Sequence, residues 1–177
     1  MNILIPILLA LVAAIAVFLI VALFVKKEYT IEGKIVVNQP KQTVFDYVKQ
    51  LKNQKYYNKW TMTDPNVRLN YTGVDGTVGF ISAWDSDNKN VGKGEQEISK
   101  IVEGEEIETL LRFIKPFTDT ASAVFVFEDT NNGGTAITWS LLGTRKYPLN
   151  LILKGLDRML LRDMQTSLDN LKHILEN

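Results

Sequence analysis

The chain has 177 residues, enough for one domain of ordinary size and an additional segment. Its 20 lysines and arginines balance 20 aspartates and glutamates, so bulk charge does not point to a nucleic acid partner. There is no cysteine, which excludes disulfides, thiolate metal sites and cysteine nucleophiles. There is only one histidine, His173, and this excludes histidine-based triads. We therefore expect no metal and no cofactor.

The first segment is an uncharged run from Ile3 to Val25. As a helix its 23 residues span ~34 Å, which matches a hydrocarbon core of ~30 Å. A cleaved signal peptide is the alternative, but no basic residue precedes the run and the run is longer than a signal-peptide core. The pattern predicts an uncleaved transmembrane anchor over residues 1–27 and a separate domain over 28–177.

Two lysines, Lys26 and Lys27, follow the apolar run at once, and no lysine or arginine precedes it. By the positive-inside rule, this asymmetry predicts a single-pass membrane protein whose C-terminal domain faces the cytoplasm.

The remaining residues alternate between the strand and helix periods. Tyr29 to Val37 is rich in β-branched residues and predicts a strand, and Pro40 is typical of a helix start. Two short helices follow, the second over about 54–60. The pattern then predicts strands over 67–72, 77–84, 91–102, 106–115, 120–129 and 135–144, and a helix over 149–175. Gly155 lies inside that last helix, where it indicates either close packing or a kink.

The stretch WDSDNKN, residues 84–90, superficially resembles a calcium loop. Counting from Asp85, Lys89 occupies the place of the third oxygen ligand and Gln96 that of the closing glutamate. The stretch is therefore predicted to be a turn between two strands.

Several motifs, in this order, resemble the SRPBCC superfamily, which includes the START domains, the birch-pollen-allergen-like proteins and the polyketide cyclase/dehydrase branch. They are IVVNQP (35–40) running into VFDYV (44–48), Trp60, GTVG (76–79), Trp84, GKG (92–94), AVFVFE (123–128) and GTAITW (134–139). The resemblance implies an α+β helix-grip fold. In this fold a curved antiparallel sheet of about seven strands surrounds a long C-terminal helix.

The resemblance also implies an apolar cavity for a lipid, sterol or polyketide-like molecule between the sheet and the long helix. It brings no shared catalytic motif, so enzymatic activity is the less favoured reading. The alternatives are a cyclase or dehydratase, with Glu108, Tyr147, Asp157 and Asp163 as candidate acids or bases, and an interaction module with a filled core. The expected partners are a hydrophobic small molecule and membrane lipids.

Large apolar side chains on the inward faces are candidate cavity residues, although ordinary core packing explains the same pattern. They are Phe80, Trp84, Phe113, Phe125, Phe127, Trp139, Leu156, Met159, Leu160 and Met164. Candidate polar cavity groups are Glu108, Arg112, Tyr147 and Arg158. A second cationic group could contact anionic headgroups or simply be solvated; it consists of Lys41, Lys49, Lys52, Lys55 and Lys59.

Overall fold

The computed structural model describes residues 3–177. The chain begins with helix α1 (Leu4–Phe24) and strand β1 (Glu28–Val37). Three short helices and a 3₁₀ turn (Leu51–Asn53) follow: α2 (Lys41–Lys49), α3 (Gln54–Tyr57) and α4 (Lys59–Met62). The remaining strands are β2 (Arg68–Thr72), β3 (Ile81–Asp85), β4 (Lys93–Val102), β5 (Glu106–Lys115), β6 (Asp119–Asp129) and β7 (Thr135–Thr144). The last helical elements are α5 (Asn150–Leu153), a 3₁₀ turn (Lys154–Leu156) and α6 (Asp157–Glu176).

The seven strands form one antiparallel sheet in the order β1-β7-β6-β5-β4-β3-β2. Helix α6 packs on the concave face, chiefly over β1. Gly33 permits this approach, because a Cβ there would lie 3.0 Å from Cδ1 of Leu168. The predicted α+β helix-grip fold is confirmed.

The sheet has two ends that differ in what they carry. We call the end where β1 begins and β7 stops, with Glu28 opposite Thr144, the α1 end. The turn between β5 and β6 lies at this end as well, because Phe113 pairs with Asp119. At the opposite, distal end, the last turn of α6 meets the end of β1, and the Asn38 backbone N–H donates to Glu176 Oε1 at 2.6 Å.

Helix α1 has 21 residues and a mean hydropathy of 3.3, and only 6% of its most apolar window is buried. Its ~32 Å length and its composition suffice to cross a bilayer. Its C-terminal part touches the domain through α5, and Ala22 is fully buried there.

The long C-terminal helix differs from its predicted form. It breaks at a 3₁₀ turn over Lys154–Leu156, so α5 and α6 are separate. A Cβ at Gly155 would meet no atom within 4 Å, which rules out close packing as the reason for this glycine. Of the two explanations, the kink is the one observed.

The third strand also begins later than predicted, at Ile81. Gly76 and Gly79 adopt φ of 73° and 88°, a left-handed conformation that glycine tolerates and a regular strand does not contain. These glycines therefore belong to the turn before β3.

The stretch 84–90 joins β3 and β4 as predicted. The backbone N–H of Ser86 donates to Gly92 O at 2.9 Å, and the Asn88 side chain accepts from the backbone N–H of Asn90. Asp85 pairs with Lys93 and Asp87 with Arg68, so both carboxylates already have cationic partners. Within residues 3–177 no three acidic or histidine side chains cluster closely enough to hold a metal ion.

Candidate functional site

The concave face of the sheet is closed in its distal half. Phe125 stacks on Trp139 at 4.8 Å between ring centroids, and Phe45 meets the edge of Phe127 at 5.4 Å. Met164 is fully buried in the same cluster. These side chains form a buried, interlocked core.

The half near α1 is built from smaller residues. Three of the inward positions of β6 and β7 here are small, Ala121, Ala123 and Gly143, and the fourth is Leu141, which pairs with Ala123. Four half-buried apolar side chains lie around them: Leu111, Phe113 and Leu160 pack against the core, and Trp84 packs against Phe113. We call these four residues the α1-end patch.

Trp84 and Phe113 form the aromatic part of the patch. Their rings meet edge to face at 6.0 Å, and Trp84 Nε1 donates to Val91 O at 3.2 Å, which fixes the indole. Gly94 makes this possible, because a Cβ there would lie 2.5 Å from Cζ2 of Trp84. The patch is therefore a rigid, pre-formed aromatic surface.

A buried polar pair lies next to the patch. Gln96 Nε2 donates to Thr109 Oγ1 at 2.8 Å, and that hydroxyl in turn lies 3.3 Å from Ala123 O. Both side chains occupy inward positions that are otherwise apolar. One or two polar groups in an apolar surface are the usual means of orienting a hydrophobic ligand.

Two further polar atoms in the core have no partner. Within residues 3–177, Trp139 Nε1 and Tyr57 OH are buried without a hydrogen bond. A buried donor without an acceptor costs about 1–3 kcal/mol. Trp139 stacks on Phe125 and meets Trp60 edge to face, so its N–H is enclosed within the core.

A buried ion pair lies at the α1 end of the sheet. The buried Arg145 guanidinium pairs with Asp157 and lies 4.3 Å from the centroid of the Tyr29 ring. Burial is the main cause of a raised pKa at the Tyr29 phenol. The charges of Arg145 and Asp157 neutralise each other, which leaves no free acid or base at this position.

Two of the four predicted polar cavity groups lie on the wrong face. Glu108 and Arg112 alternate with Thr109 and Leu111 along β5, so their side chains point to the convex side. Arg112 pairs there with Glu95 and Glu97. Strand alternation therefore corrects the prediction for both residues.

The other two lie outside the concave face. Tyr147 is exposed, and its hydroxyl donates to Leu19 O of α1 at 3.3 Å. Arg158 is exposed on the first turn of α6 and lines an open depression of about 640 Å³ on the flank of the domain, together with Glu32, Lys34, Leu161, Arg162 and Gln165.

The predicted apolar cavity residues are divided among four places. Trp84, Phe113 and Leu160 belong to the α1-end patch, whereas Phe125, Phe127, Trp139 and Met164 form the distal core. Phe80 lies in a separate small cluster with Leu51 and Ile98. Leu156 and Met159 are exposed at the start of α6. The structure therefore does not bring the ten residues together around one space.

A second open depression lies beside the 3₁₀ turn, lined by Leu151, Lys154, Gly155, Asp157 and Arg158. The depression near Arg158 is lined by two residues of β1 and four of α6, and neither depression is lined by a residue of the α1-end patch. All four residues of the patch are half-exposed, so the patch is an apolar surface.

Sequence reasoning missed three residues at the site: Gln96, Thr109 and Arg145. For Gln96 and Thr109 a signal existed, because a polar residue at an inward position of a strand interrupts the apolar alternation. No local signal marks Arg145, whose role depends on Asp157 from a different element.

Solved structures of low sequence identity share this fold. The di-domain ARO/CYC StfQ from the steffimycin biosynthetic pathway matches with a TM-score of 0.63 at 16% identity, over 85% of this chain and 51% of StfQ. Ara h 8.0201 matches with a TM-score of 0.60 at 14% identity, over 84% and 97% of the two chains. The Aha1 dimer from Colwellia psychrerythraea gives 0.57 at 13%, over 84% and 96%.

This chain spans about half the length of StfQ. The structures it resembles are SRPBCC-type folds, and at these identities the similarity shows the fold alone. No family model and no curated protein sequence matches the chain.

Proposed function

We propose that the chain is a single-pass membrane protein whose domain binds a hydrophobic small molecule at the α1-end patch. The observation that carries the proposal is the contrast within one concave face. Its distal half is sealed by interlocked side chains, while Trp84, Phe113 and Leu160 stay half-exposed at the other end. A rigid apolar surface beside buried polar groups suits a lipid-like ligand.

The proposal includes the anchor and its orientation. Helix α1 is almost entirely exposed on the protein, as a helix surrounded by lipid is. The exposed Lys26, Lys27, Lys146 and Lys154 lie near its C-terminal end, which favours a cytoplasmic domain by the positive-inside rule. Residues 1–27 are then the anchor and residues 28–177 the binding domain.

Binding is favoured over catalysis because of what the candidate acids and bases do. Of the four candidates, Glu108 faces away from the helix, Tyr147 hydrogen-bonds to α1, and Asp157 is paired with Arg145. The fourth, Asp163, is half-buried on α6 and is not part of the α1-end patch. The fold is compatible with a cyclase, but general acid–base catalysis needs a positioned group that is free to exchange a proton.

Photo-crosslinking tests the proposal. The full chain in nanodiscs is irradiated with a diazirine-bearing fatty acid or sterol, and labelled residues are mapped by mass spectrometry. We expect labels on β3, β5 and the first turns of α6. Labelling of α1 serves as an internal control, since a spanning helix contacts the probe in any case.

Two variants sharpen the experiment. Ala121→Leu fills the inward surface next to the patch and should abolish domain labelling while α1 labelling persists. Trp139→Phe, in the distal core, removes the unpartnered indole N–H and should leave domain labelling unchanged. Val78→Leu, at an exposed position in the turn before β3, is the matched control. Labels confined to α1 in the parent chain would overturn the binding proposal.

The solid distal core favours a second candidate, an interaction module that binds no small molecule. Native mass spectrometry of the detergent-purified chain separates the two. A bound lipid or other small molecule that survives purification supports the first, and a bare chain together with absent domain labelling supports the second.

A further inference from the structure

Large apolar side chains are exposed at the α1 end of the domain. Phe117, in the turn between β5 and β6, is 78% exposed, and Ile152 of α5 is 58% exposed. Ile114, Leu149 and Leu156 are exposed in the same region. Exposed apolar groups concentrated at one end of a domain mark a surface for another apolar phase or partner.

This end is held against the last two turns of α1. Asn150 Nδ2 donates to Ala22 O and to Val25 O, both at 2.8 Å, and Tyr147 OH donates to Leu19 O. Leu19 lies about 7.5 Å along the helix axis before Phe24. If α1 spans a bilayer, the segment 147–152 lies at the boundary between headgroups and hydrocarbon, where tyrosines are enriched.

The same surface is rich in cations that have no anionic partner. Six cations here are exposed and form no ion pair within residues 3–177: Lys26, Lys27, Lys115, Lys146, Lys154 and Arg158. Cations next to an anionic membrane are attracted to its headgroups and strengthen the contact. Apolar side chains flanked by lysines therefore fit a phospholipid interface better than a neutral protein surface.

The lysines of α2 do not share this position. Lys41 pairs with Asp129, and Lys49 pairs with Glu103 in the distal turn between β4 and β5. These two lysines therefore have acidic partners within the domain, unlike the lysines at the α1 end.

We infer that the α1 end of the domain, from the β5–β6 turn to the start of α6, docks on an anionic phospholipid bilayer with Phe117 and Ile152 inserted below the headgroups. The α1-end patch then opens towards the membrane, and a ligand can pass between bilayer and patch without crossing water. The inference rests on the proposed span of α1 and adds a second, separate contact with the lipid.

The absence of cysteine allows a direct test on the full chain. Single variants Phe117→Cys and Ile152→Cys are labelled with the environment-sensitive fluorophore NBD and placed in nanodiscs with and without phosphatidylserine. Val74→Cys, an equally apolar exposed position (71%) in the β2–β3 turn at the distal end, is the matched control. We expect blue-shifted emission and protection from a water-soluble quencher at 117 and 152, and neither at 74.

Charge variants test the headgroup contact. Lys146→Gln with Lys154→Gln should reduce the response to phosphatidylserine, whereas Lys41→Gln with Lys49→Gln should leave it unchanged. Circular dichroism of each labelled variant verifies that the fold is intact.

The failures are distinguishable. In one outcome the chain stays with the nanodisc and its domain is photo-labelled, but the probes at 117 and 152 remain as accessible as the probe at 74. This result overturns docking and leaves the binding proposal standing. Protection that appears only when another protein is added also overturns docking and identifies the surface as a protein interface. A chain that does not stay with nanodiscs overturns span and docking together.

Discussion

The two halves of the concave face are packed differently. In the distal half, Phe125, Trp139 and Met164 interlock and exclude water. In the α1 half, three of the inward positions of β6 and β7 are small (Ala121, Ala123 and Gly143), Leu141 is the fourth, and the larger residues around them stay half-exposed. The difference teaches that packing is concentrated in one half of the face, while the other half leaves an apolar surface uncovered.

The largest expected effect distinguishes two methionines on one helix. Met164→Ala should destabilise the domain by about 2–5 kcal/mol, because it leaves a void in a closed core. Met159→Ala, at a position 51% exposed, should cost less than about 0.5 kcal/mol. Urea unfolding of the full chain in detergent, followed by tryptophan fluorescence, measures both. Equal losses would mean that the two halves are packed alike.

The next effect is a loss of stability in alkali. Burial raises the pKa of the Tyr57 phenol well above its ordinary value of 10.0. Above pH 10 the unfolded chain loses a proton that the folded chain retains, so the free energy of unfolding falls by up to about 1.4 kcal/mol per pH unit from this group.

Tyr57→Phe should flatten that decline, as measured by urea unfolding at successive pH values. Tyr56→Phe is the control, because the neighbouring Tyr56 is exposed. An unchanged alkaline slope in Tyr57→Phe would show that the phenol is not sealed in the core.

At the α1 end, Asn150→Ala should cost about 1–2 kcal/mol, since its amide group caps the carbonyls of Ala22 and Val25. Thermal unfolding in detergent measures the loss, with the exposed Asn70→Ala as control. Wild-type stability in Asn150→Ala would indicate that α1 and the domain are joined only by the chain.

The smallest expected effect is a gain. Gly155→Ala should stabilise the protein by about 0.4–1 kcal/mol, because the added methyl group meets no atom and restricts the unfolded chain. Gly33→Ala should have the opposite sign, since its Cβ would press on Leu168 of α6. Thermal unfolding of both variants decides the comparison, and a loss of stability in Gly155→Ala would show that the break before α6 requires glycine.

Local patterns were sufficient for the order of elements, and the fold class followed from the resemblance of that order and its motifs to the SRPBCC superfamily. Apolar residues alternate in β6 and β7, and Met164, Leu168 and Leu171 are spaced three and four residues apart. Each pattern reflects one buried face, and such a face produces a periodicity that can be read from the sequence. The long uncharged run was likewise readable, because the thickness of the hydrocarbon core sets the length of a spanning helix, and the length and composition of the run can be read from the sequence. The turn chemistry of residues 84–90 belongs to the same class of local information.

Only the tertiary structure decided which inward residues are sealed and which remain open. Phe125 and Phe113 both point inward from neighbouring strands, yet Phe125, opposite Ile107, is covered by other side chains and Phe113, opposite Asp119, is not. Coverage depends on where α2, α4 and α6 lie across the sheet, and that placement is set by contacts between residues far apart in the chain. For the same reason the pairing of Arg145 with Asp157 and the capping of α1 by Asn150 had no sequence signal, since each joins elements that meet only in the folded protein.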